Sequence, residues 1–221
     1  MARTLFTSKY GGASRFPYAE LNLGLHVGDD PSSVIANREL VSKEFSTSTL
    51  VFMSQSHSAK ILEVTSNENR TLDCDGIFTR KTNVALAVLV ADCIPLLLHT
   101  NSMVAAIHVG RRGLVAGIVE TMVEQFRISS SDPITAEIGP AICGDCYEVD
   151  LETYREVTAR YPATATSEVK RKLDLKLGAN QLLRSFGVEV NDWNRCTLHD
   201  VGYFSYRRDG RTGRQAGIIA L

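Results

Sequence analysis

Several features that would assign a protein to a broad class are missing from this sequence of 221 residues. Its formal net charge is only −1, so the overall charge favours neither a nucleic acid nor an anionic membrane as a partner. The longest apolar run, Val84 to Leu98, is interrupted by Asp92 and Pro95 and falls short of a membrane-spanning helix. The first residues, MARTLFTSKYGG, lack the apolar stretch and the cleavage site of a signal peptide. We therefore expect a soluble protein of the cytoplasm.

The cysteines number five, which is odd. Without a secretory signal, an odd number favours free thiols or metal ligands over a disulfide framework. The hydrophobic fraction of 44% and the charged fraction of 22% are ordinary for a globular protein. No repeat, low-complexity tract or linker divides the chain, so we predict a single domain over residues 1–221.

Four helices are predicted from capping residues and apolar spacing. One begins after Asp30, an expected N-cap that is followed by Pro31 at the first helical position. A second opens at Gly113, where apolar residues recur at steps of three and four. Two more are predicted near residues 151–160 and over 174–186.

Strands are predicted at short runs rich in Val, Ile, Leu and Ala, over residues 84–92, 94–100, 103–109 and 134–142. The last twenty residues, GYFSYRRDGRTGRQAGIIAL, predict a hairpin that turns at Asp209-Gly210. The strands occur in blocks without regular alternation with helices. This pattern indicates an α+β fold.

The segment VLVADCIPLLLHTNSMVAAIHVGRRG, residues 88–113, contains two apolar runs joined by a short turn. Each run carries a residue that a plain core strand does not need, Cys93 in the first and His108 in the second. On neighbouring strands about 4.8 Å apart, the two side chains could share a small ion. Zinc needs at least three protein ligands, however, and a small buried cysteine beside a hydrogen-bonded histidine explains the spacing more simply.

The best candidate for a third ligand is His57, in a polar loop that precedes an apolar strand. His26, His99 and His199 are the alternatives. His99 is six residues from Cys93 on the same predicted strand, roughly 20 Å away at the rise of a strand. Spacing alone therefore leaves the third ligand open.

Two pairs of polar residues are candidate anion contacts. Arg111 and Arg112 follow a strand and stand at the start of a helix, where free N–H groups attract anions. Asn37 and Arg38 lie in the first helix, and the guanidinium could bind a phosphate with two hydrogen bonds. Solvated side chains explain each pair equally simply.

The motif CGDC, residues 143–146, has the Cys-x-x-Cys spacing of redox sites and zinc knuckles. Because Cys74 and Cys196 are isolated and no second pair at knuckle spacing is evident, we interpret the motif as structural. The basic stretch YRRDGRTGR could contact a nucleic acid, but the predicted hairpin and the neutral chain argue against that interpretation.

Seven segments occur in a characteristic order: LNLGLHVGDDPSSVIANR, QSHSAKILEV, DCDGIFT, ALAVLVADCIPLLL, AAIHVGRRGLVAGIV, EIGPAICGDCYEV and FSYRRDGRTGRQAGIIAL. Together they resemble the YfiH-like proteins, also called the laccase-domain family, which include peptidoglycan editing factors and purine nucleoside phosphorylases. The resemblance extends from about Leu5 to Leu221. The sequence departs from the family at Arg111, where a tryptophan is usual, and at Ser56 and Ser58, where valine and glycine are usual. These departures put the substrate preference in question.

The resemblance implies a single α+β domain of mixed β-sheets with flanking helices. It also implies a zinc ion bound by His57, Cys93 and His108. This implication reverses the interpretation of Cys93 as a small buried residue beside a hydrogen-bonded histidine. Arg38 matches the arginine of the family's Asn-Arg motif and is a candidate phosphate or substrate contact. Asp92 and Asp75 are candidates for acid–base groups or for residues that support the metal ligands, and equally for ordinary turn and strand-end carboxylates.

Members of the family have been assigned polyphenol oxidation, purine nucleoside phosphorolysis with some deamination, and amide hydrolysis on peptidoglycan precursors. A coupled multicopper cluster needs many more histidines than the five in this chain, so copper is the less favoured metal. We predict a zinc-dependent purine nucleoside phosphorylase that uses phosphate with adenosine, inosine or methylthioadenosine. An amide-hydrolysing editing enzyme, a copper polyphenol oxidase and a zinc-stabilised binding module remain the alternatives.

Overall fold

The computed structural model describes residues 2–45, 49–65 and 72–221. These residues form thirteen strands: β1 (Arg3–Phe6), β2 (Thr49–Ser54), β3 (Ile61–Glu63), β4 (Leu72–Asp73), β5 (Gly76–Thr79), β6 (Val84–Val90), β7 (Ile94–His99), β8 (Val104–Val109), β9 (Thr135–Ile138), β10 (Ala165–Ser167), β11 (Lys172–Leu173), β12 (Glu189–Asp192) and β13 (Gln215–Ala220). The described ranges also form six α-helices: α1 (Pro31–Phe45), α2 (Arg111–Val115), α3 (Ile118–Ser129), α4 (Leu151–Arg160), α5 (Leu175–Ser185) and α6 (Tyr206–Asp209).

Most of the strands belong to two mixed sheets. The first sheet has the order β1-β13-β6-β2-β4, and the second has the order β12-β9-β7-β8-β5-β3. Both contain parallel and antiparallel pairs, for example the parallel pair β2–β6 beside the antiparallel pair β13–β6 in the first sheet. The α+β prediction is confirmed, with mixed sheets and flanking helices.

The two sheets pack face to face, and helices cover their outer faces. The side chains of β6 point alternately to the two faces of the first sheet. Those that point to the second sheet are Val84, Leu86, Val88 and Val90, whereas Ala85, Ala87 and Leu89 point to α1. The outer face of the second sheet packs on α3, α4 and α5. This alternation follows from the two-residue period of a strand, and it makes both faces of β6 apolar.

The antiparallel hairpin of β7 and β8 is confirmed, with the turn at residues 100–103. Leu97 of β7 and Ala106 of β8 are paired and both point into the space between the sheets. His108 lies two residues beyond Ala106 and is paired with Pro95. Cys93 lies two residues before Pro95, so its side chain is on the same face of the sheet, at the end of the space between the two sheets.

Several predicted element boundaries are confirmed within two residues. Helix α1 begins at Pro31, and the Asp30 carboxylate accepts a hydrogen bond of 3.1 Å from the backbone N–H of Ser33. The helix predicted to open at Gly113 begins earlier, at Arg111, and is interrupted at Gly117, whose φ of +87° suits glycine. The strand predicted over 134–142 is shorter, because Gly139 and Pro140 leave the sheet after Ile138.

The predicted C-terminal hairpin is wrong. Residues 206–209 form α6, and β13 pairs with β1 and β6 instead of with the segment before the turn. The Ser205 hydroxyl accepts a hydrogen bond from the N–H of Arg208, and the Asp92 carboxylate accepts one of 2.7 Å from the N–H of Arg207. These contacts satisfy N–H groups at the helix start, which a two-residue hairpin would leave to solvent. Among the described helices, none is long and apolar enough to cross a membrane.

Candidate metal centre

Three candidate ligands meet at one end of the space between the sheets. His108 is the second-last residue of β8, Cys93 lies just before β7, and His57 stands in the loop after β2. Their ligand atoms all lie within 4.8 Å of one another, and the Cys93 Sγ is 3.9 Å from the His57 Nε2. The two imidazole rings meet edge to face with centroids 4.7 Å apart. These three residues could hold a metal ion.

Gly110 makes this approach possible. In the β7–β8 register, Ile94 pairs with Val109, so the position opposite Cys93 is Gly110. A Cβ atom at Gly110 would lie 2.7 Å from the His57 Cδ2 and 3.2 Å from the Cys93 Sγ. The space that a side chain would fill is therefore occupied by two of the three ligands.

A buried carboxylate connects the His57 loop to β8. Asp75 is fully buried, and its carboxylate oxygens accept hydrogen bonds from the backbone N–H groups of His57 at 2.9 Å and Ser58 at 2.7 Å. The same carboxylate lies 2.8 Å from the Nδ1 of His108, which leaves Nε2 as the nitrogen available to a metal ion. Asp75 therefore orients one ligand and fixes the loop of another, which is the usual role of a carboxylate behind a metal-bound histidine.

The family departures at Ser56 and Ser58 lie in this network. Their backbone N–H groups both donate to Asp75, and the Ser58 hydroxyl adds a hydrogen bond of 2.8 Å to the same carboxylate. His57, between them, has a φ of +64°, a left-handed conformation that L residues rarely adopt. The three N–H groups around one carboxylate explain how this conformation is stabilised.

The protonation states of Cys93, His108 and Asp75 depend on one another. Burial raises the pKa of Cys93, but the charge of His108 and hydrogen bonds from His108 and His57 lower it to about 6. Burial lowers the pKa of His108, while Cys93 and Asp75 raise it to about 9. Burial also disfavours the Asp75 anion, yet hydrogen bonds from His108 and Ser58 keep its pKa well below the usual range. Cys93 is thus a thiolate at neutral pH, the form that binds metal ions.

A cleft of about 430 Å³ opens in front of the three ligands. Its other walls are formed by His26, Met53, Gln55, Leu89, Val90, Ala91, Asp92, Ile142, Tyr147, Tyr206, Arg207 and Arg214. A smaller opening of about 240 Å³ is lined by His57, Cys93, Arg111, Arg112 and Tyr147. Aromatic and apolar surfaces thus alternate with guanidinium groups around the candidate metal centre.

A family model described as multi-copper polyphenol oxidoreductase laccase matches residues 3–221. The chain belongs to this family. It superimposes on the crystal structure of Bacillus licheniformis YfiH with a TM-score of 0.91 at 33% identity, covering 100% of this chain and 92% of that chain. YlmD from Geobacillus stearothermophilus gives a TM-score of 0.90 at 34% identity, covering 99% of this chain and 91% of that one. The resemblance to YfiH-like proteins is confirmed.

Curated relatives within this laccase family carry the name of one activity. The chain is 42% identical to a Streptomyces coelicolor protein named purine nucleoside phosphorylase, over 98% of this chain and 94% of that protein. A Haemophilus influenzae protein of the same name is 35% identical, over 96% of this chain and 91% of its own length. The family description and the names of these relatives therefore point to different chemistries.

Asp92, predicted as an acid–base or supporting residue, lies at the cleft with both carboxylate oxygens engaged. One accepts a hydrogen bond of 2.6 Å from the Thr197 hydroxyl, and the other accepts the N–H of Arg207. Its φ of +89° is a conformation that few residues other than glycine adopt. Asp92 lies in the segment before β7, and these contacts connect that segment to Thr197 and to the start of α6. They therefore support a positioning role for Asp92.

Asn37 and Arg38 do not line the cleft. The Asn37 amide is fully buried, donating to Ser14 and to two backbone carbonyls, and its carbonyl accepts from the N–H of Ala13 at 2.7 Å. The Arg38 guanidinium stacks 3.7 Å above the Phe52 ring and donates to the Leu23 carbonyl. Contacts of Asn37 and Arg38 with phosphate remain predictions, and these positions do not favour them. Besides burial, the positive charge of Arg38 does lower the pKa of His26, which lines the cleft.

Arg111 and Arg112 lie beside two of the candidate metal ligands, at the smaller opening. Arg111 also forms an ion pair of 3.4 Å with Glu156 of α4. Arg207 and Arg214 stand at the main cleft, and sequence reasoning did not select them, because the stretch YRRDGRTGR was assigned to a hairpin. The mixture of tyrosine and arginine in this stretch was the sequence feature that could have indicated residues of the cleft.

Proposed function

We propose that this protein is a zinc-dependent purine nucleoside phosphorylase that acts on adenosine, inosine or methylthioadenosine. The observation that carries the proposal is the cluster of His57, Cys93 and His108 at the base of a cleft lined by guanidinium groups. The names of the relatives support the reaction class. The preferred nucleoside, the metal and any deamination are parts of the proposal that rest on the resemblance.

The donor set suits zinc. Two imidazoles and one thiolate leave the fourth position of a tetrahedral ion open, as catalytic zinc sites require. When bound, zinc would supply a Lewis acid at the end of the cleft. A blue-copper centre could use the same three donors, but the five histidines of the chain are too few for a coupled multicopper cluster.

The cleft can accommodate both substrates. Tyr147 and Tyr206 offer aromatic faces to a purine, and Leu89 and Met53 offer apolar contact. Burial and the charges of Arg214 and Arg38 lower the pKa of His26, so this side chain is neutral at pH 7 and can hydrogen-bond a base or a ribose hydroxyl. Arg207 and Arg214 can hold the phosphate anion through charge-assisted hydrogen bonds.

In phosphorolysis, an oxygen of phosphate forms a bond to C1′ of the ribose while the bond from C1′ to the purine nitrogen breaks. The purine leaves with the electron pair and takes up the proton that the phosphate loses, which yields free base and ribose 1-phosphate, or 5-methylthioribose 1-phosphate from methylthioadenosine. The protein must hold a dianion next to a sugar that becomes cationic. Guanidinium groups that fix the phosphate near C1′ contribute by positioning and by electrostatics.

The test is a product assay on purified, zinc-loaded protein with each nucleoside, in the presence and absence of phosphate. We expect free purine and the corresponding pentose 1-phosphate, both dependent on phosphate and both lost in Cys93→Ala. Formation of inosine from adenosine without phosphate would instead identify deamination, which the names of the relatives do not support. No purine release from any of the three nucleosides would contradict the proposal.

The same protein distinguishes the alternatives. Amide hydrolysis of a UDP-linked muramyl precursor in phosphate-free buffer would indicate an editing enzyme, and oxygen-dependent oxidation of a polyphenol after copper loading would indicate an oxidase. A binding module would show no turnover with any substrate. A cytoplasmic location belongs to the same proposal, because reduced thiols persist in that compartment.

A further inference from the structure

A second cluster of metal-binding side chains lies next to the cleft and shares no residue with the first. The ligand atoms of Cys143, Cys146, Cys196 and His199 all lie within 4.8 Å of one another. The Cys146 Sγ is 3.1 Å from the His199 Nε2. The interpretation of Cys196 as isolated is therefore wrong: Cys196-Thr-Leu-His199 is a second pair with the same spacing as Cys143-Gly-Asp-Cys146.

Backbone contacts bring the two pairs together across about 50 residues of sequence. Ala141 and Cys196 form a parallel bridge, and the N–H of Thr197 donates to the Ala141 carbonyl at 3.1 Å. In the first pair, the N–H groups of Cys146 and Tyr147 both donate to the Cys143 carbonyl, at 3.0 and 3.1 Å. This tight turn directs both sulfurs of the pair to the same side.

The sulfur of Cys196 is also the acceptor of a backbone hydrogen bond. The N–H of Cys143 lies 3.4 Å from the Cys196 Sγ. N–H groups directed at a sulfur stabilise a thiolate, which is the form that binds metal ions.

We propose that Cys143, Cys146, Cys196 and His199 bind one zinc ion in a closed tetrahedral site that stabilises the fold. Three cysteines and one histidine are a known ligand set of structural zinc, with no position left for substrate. Ligand atoms around a tetrahedral zinc lie roughly 3.5 to 3.8 Å apart, given Zn–S bonds of about 2.3 Å and Zn–N bonds of about 2.0 Å. The four ligand atoms lie within 4.8 Å of one another, so side-chain movements on the order of 1 Å would bring them to this spacing.

The site would join a segment that lines the cleft to a second segment that contacts the cleft residue Asp92. Ile142 precedes the first ligand and Tyr147 follows the second, and both line the cleft. Thr197, between the other two ligands, donates to Asp92. Closing a loop of about 50 residues with a metal ion restricts the unfolded chain strongly, so the zinc should contribute directly to the free energy of unfolding.

The test is the zinc content of protein purified under reducing conditions, measured together with thermal unfolding. We expect two zinc ions per wild-type chain and one in Cys93→Ser, which lacks a ligand of the first cluster only. Cys196→Ser and His199→Ala should also hold one, and their unfolding midpoints should fall below that of Cys93→Ser. Cys74→Ala, which removes a buried cysteine outside both clusters, should retain two. A folded Cys93→Ser protein without zinc would overturn the proposal.

A second measurement covers the case in which the Cys196 and His199 variants fail to fold. X-ray absorption at the zinc edge of the wild-type protein reports the average number of sulfur ligands per ion. Two occupied sites, one with three sulfurs and one with one, give an average of two. An average of one sulfur per zinc would show that only the first cluster binds metal and would overturn the proposal, even if no variant can be made.

Discussion

The carboxylate of Asp75 and the imidazole of His108 are joined by a hydrogen bond of 2.8 Å between Oδ1 and Nδ1. Both side chains are almost completely buried, and the backbone N–H of His108 also donates to the Asp75 carbonyl at 2.7 Å. The pair therefore fixes both the position and the orientation of the imidazole. The same carboxylate binds the N–H of His57, so one residue organises two of the three candidate ligands.

Replacement of Asp75 by asparagine should weaken metal binding. The amide nitrogen of Asp75→Asn would face N–H donors of residues 56–58, which disrupts the loop and frees the His108 ring. Loss of a carboxylate behind a metal-bound histidine typically costs about 10- to 100-fold in affinity. Competition with a fluorescent zinc chelator measures the change. Asp73→Asn, two residues away at an exposed position, is the matched control and should bind as the wild type does.

Gly110→Ala should reduce activity without unfolding the protein. The new Cβ would lie 2.7 Å from the His57 Cδ2, so the His57 ring must move away from Cys93. A misplacement on the order of 1 Å can cost about 100-fold in rate. We expect a loss of this order in kcat/KM for phosphorolysis, together with weaker zinc binding. The unfolding midpoint should change little, because the exposed His57 side chain can rotate while Asp75 holds the backbone of its loop.

Wild-type kinetics in Gly110→Ala would show that the His57 loop adapts freely. The close packing at this glycine would then have no functional importance. Measuring zinc content in the same preparation separates a loss of metal from a misplaced ligand.

Arg207→Gln should raise the KM for phosphate. Arg207 is exposed at the cleft, where its guanidinium lies 5.4 Å from the Tyr147 ring centroid. Hydrogen bonds to charged groups contribute about 1.5 to 3 kcal/mol, which corresponds to roughly 10- to 100-fold in KM. Arg155→Gln, an exposed arginine of α4, is the control and should leave KM unchanged.

The neighbouring Arg208 should behave differently. Its guanidinium donates to the carbonyls of Thr197, Leu198 and Tyr203. Arg208→Gln should therefore lower the unfolding midpoint, whereas Arg207→Gln should not. Equal effects of the two substitutions on the KM for phosphate would contradict the assignment of Arg207 to substrate binding.

The titration of His26 should reveal the cationic environment of the cleft. Burial, then the charge of Arg214, then that of Arg38 lower the pKa of His26 below its usual value of 6.5. Arg214→Gln should move the NMR titration midpoint of the His26 ring upward, because the neighbouring positive charge is removed. Arg155→Gln should not move it.

This titration also predicts the sign of a pH effect on stability. Because the folded state holds His26 with a lowered pKa, it binds fewer protons than the unfolded state does. The free energy of unfolding should therefore decrease as the pH falls from 6.5 through the folded-state pKa, and the decrease should be smaller in His26→Gln. An identical pH dependence in His26→Gln would contradict the lowered pKa.

The local sequence determined the elements that local rules control. Apolar runs on both sides of a turn predicted β7 and β8, and Asp30-Pro31 predicted the start of α1, because strand periodicity and helix capping involve residues close in the chain. The predicted turn also placed Cys93 and His108 on neighbouring strands, at similar distances from the turn. At the C-terminal segment, Asp209-Gly210 resembled a hairpin turn, but contacts with the distant Asp92 stabilise α6 instead.

Tertiary structure alone decided how the two clusters of candidate metal ligands are assembled. His57 reaches Cys93 from the loop after β2, the fully buried Asp75 orients His108, and Gly110 leaves room for the ring, none of which follows from spacing. Likewise, Cys143-x-x-Cys146 and Cys196-x-x-His199 are two ordinary pairs until the bridge between Ala141 and Cys196 brings them together. The reason is physical: periodicity and capping act over a few residues, whereas each ligand set depends on the packing of distant segments, 36 residues apart from His57 to Cys93 and 53 from Cys143 to Cys196.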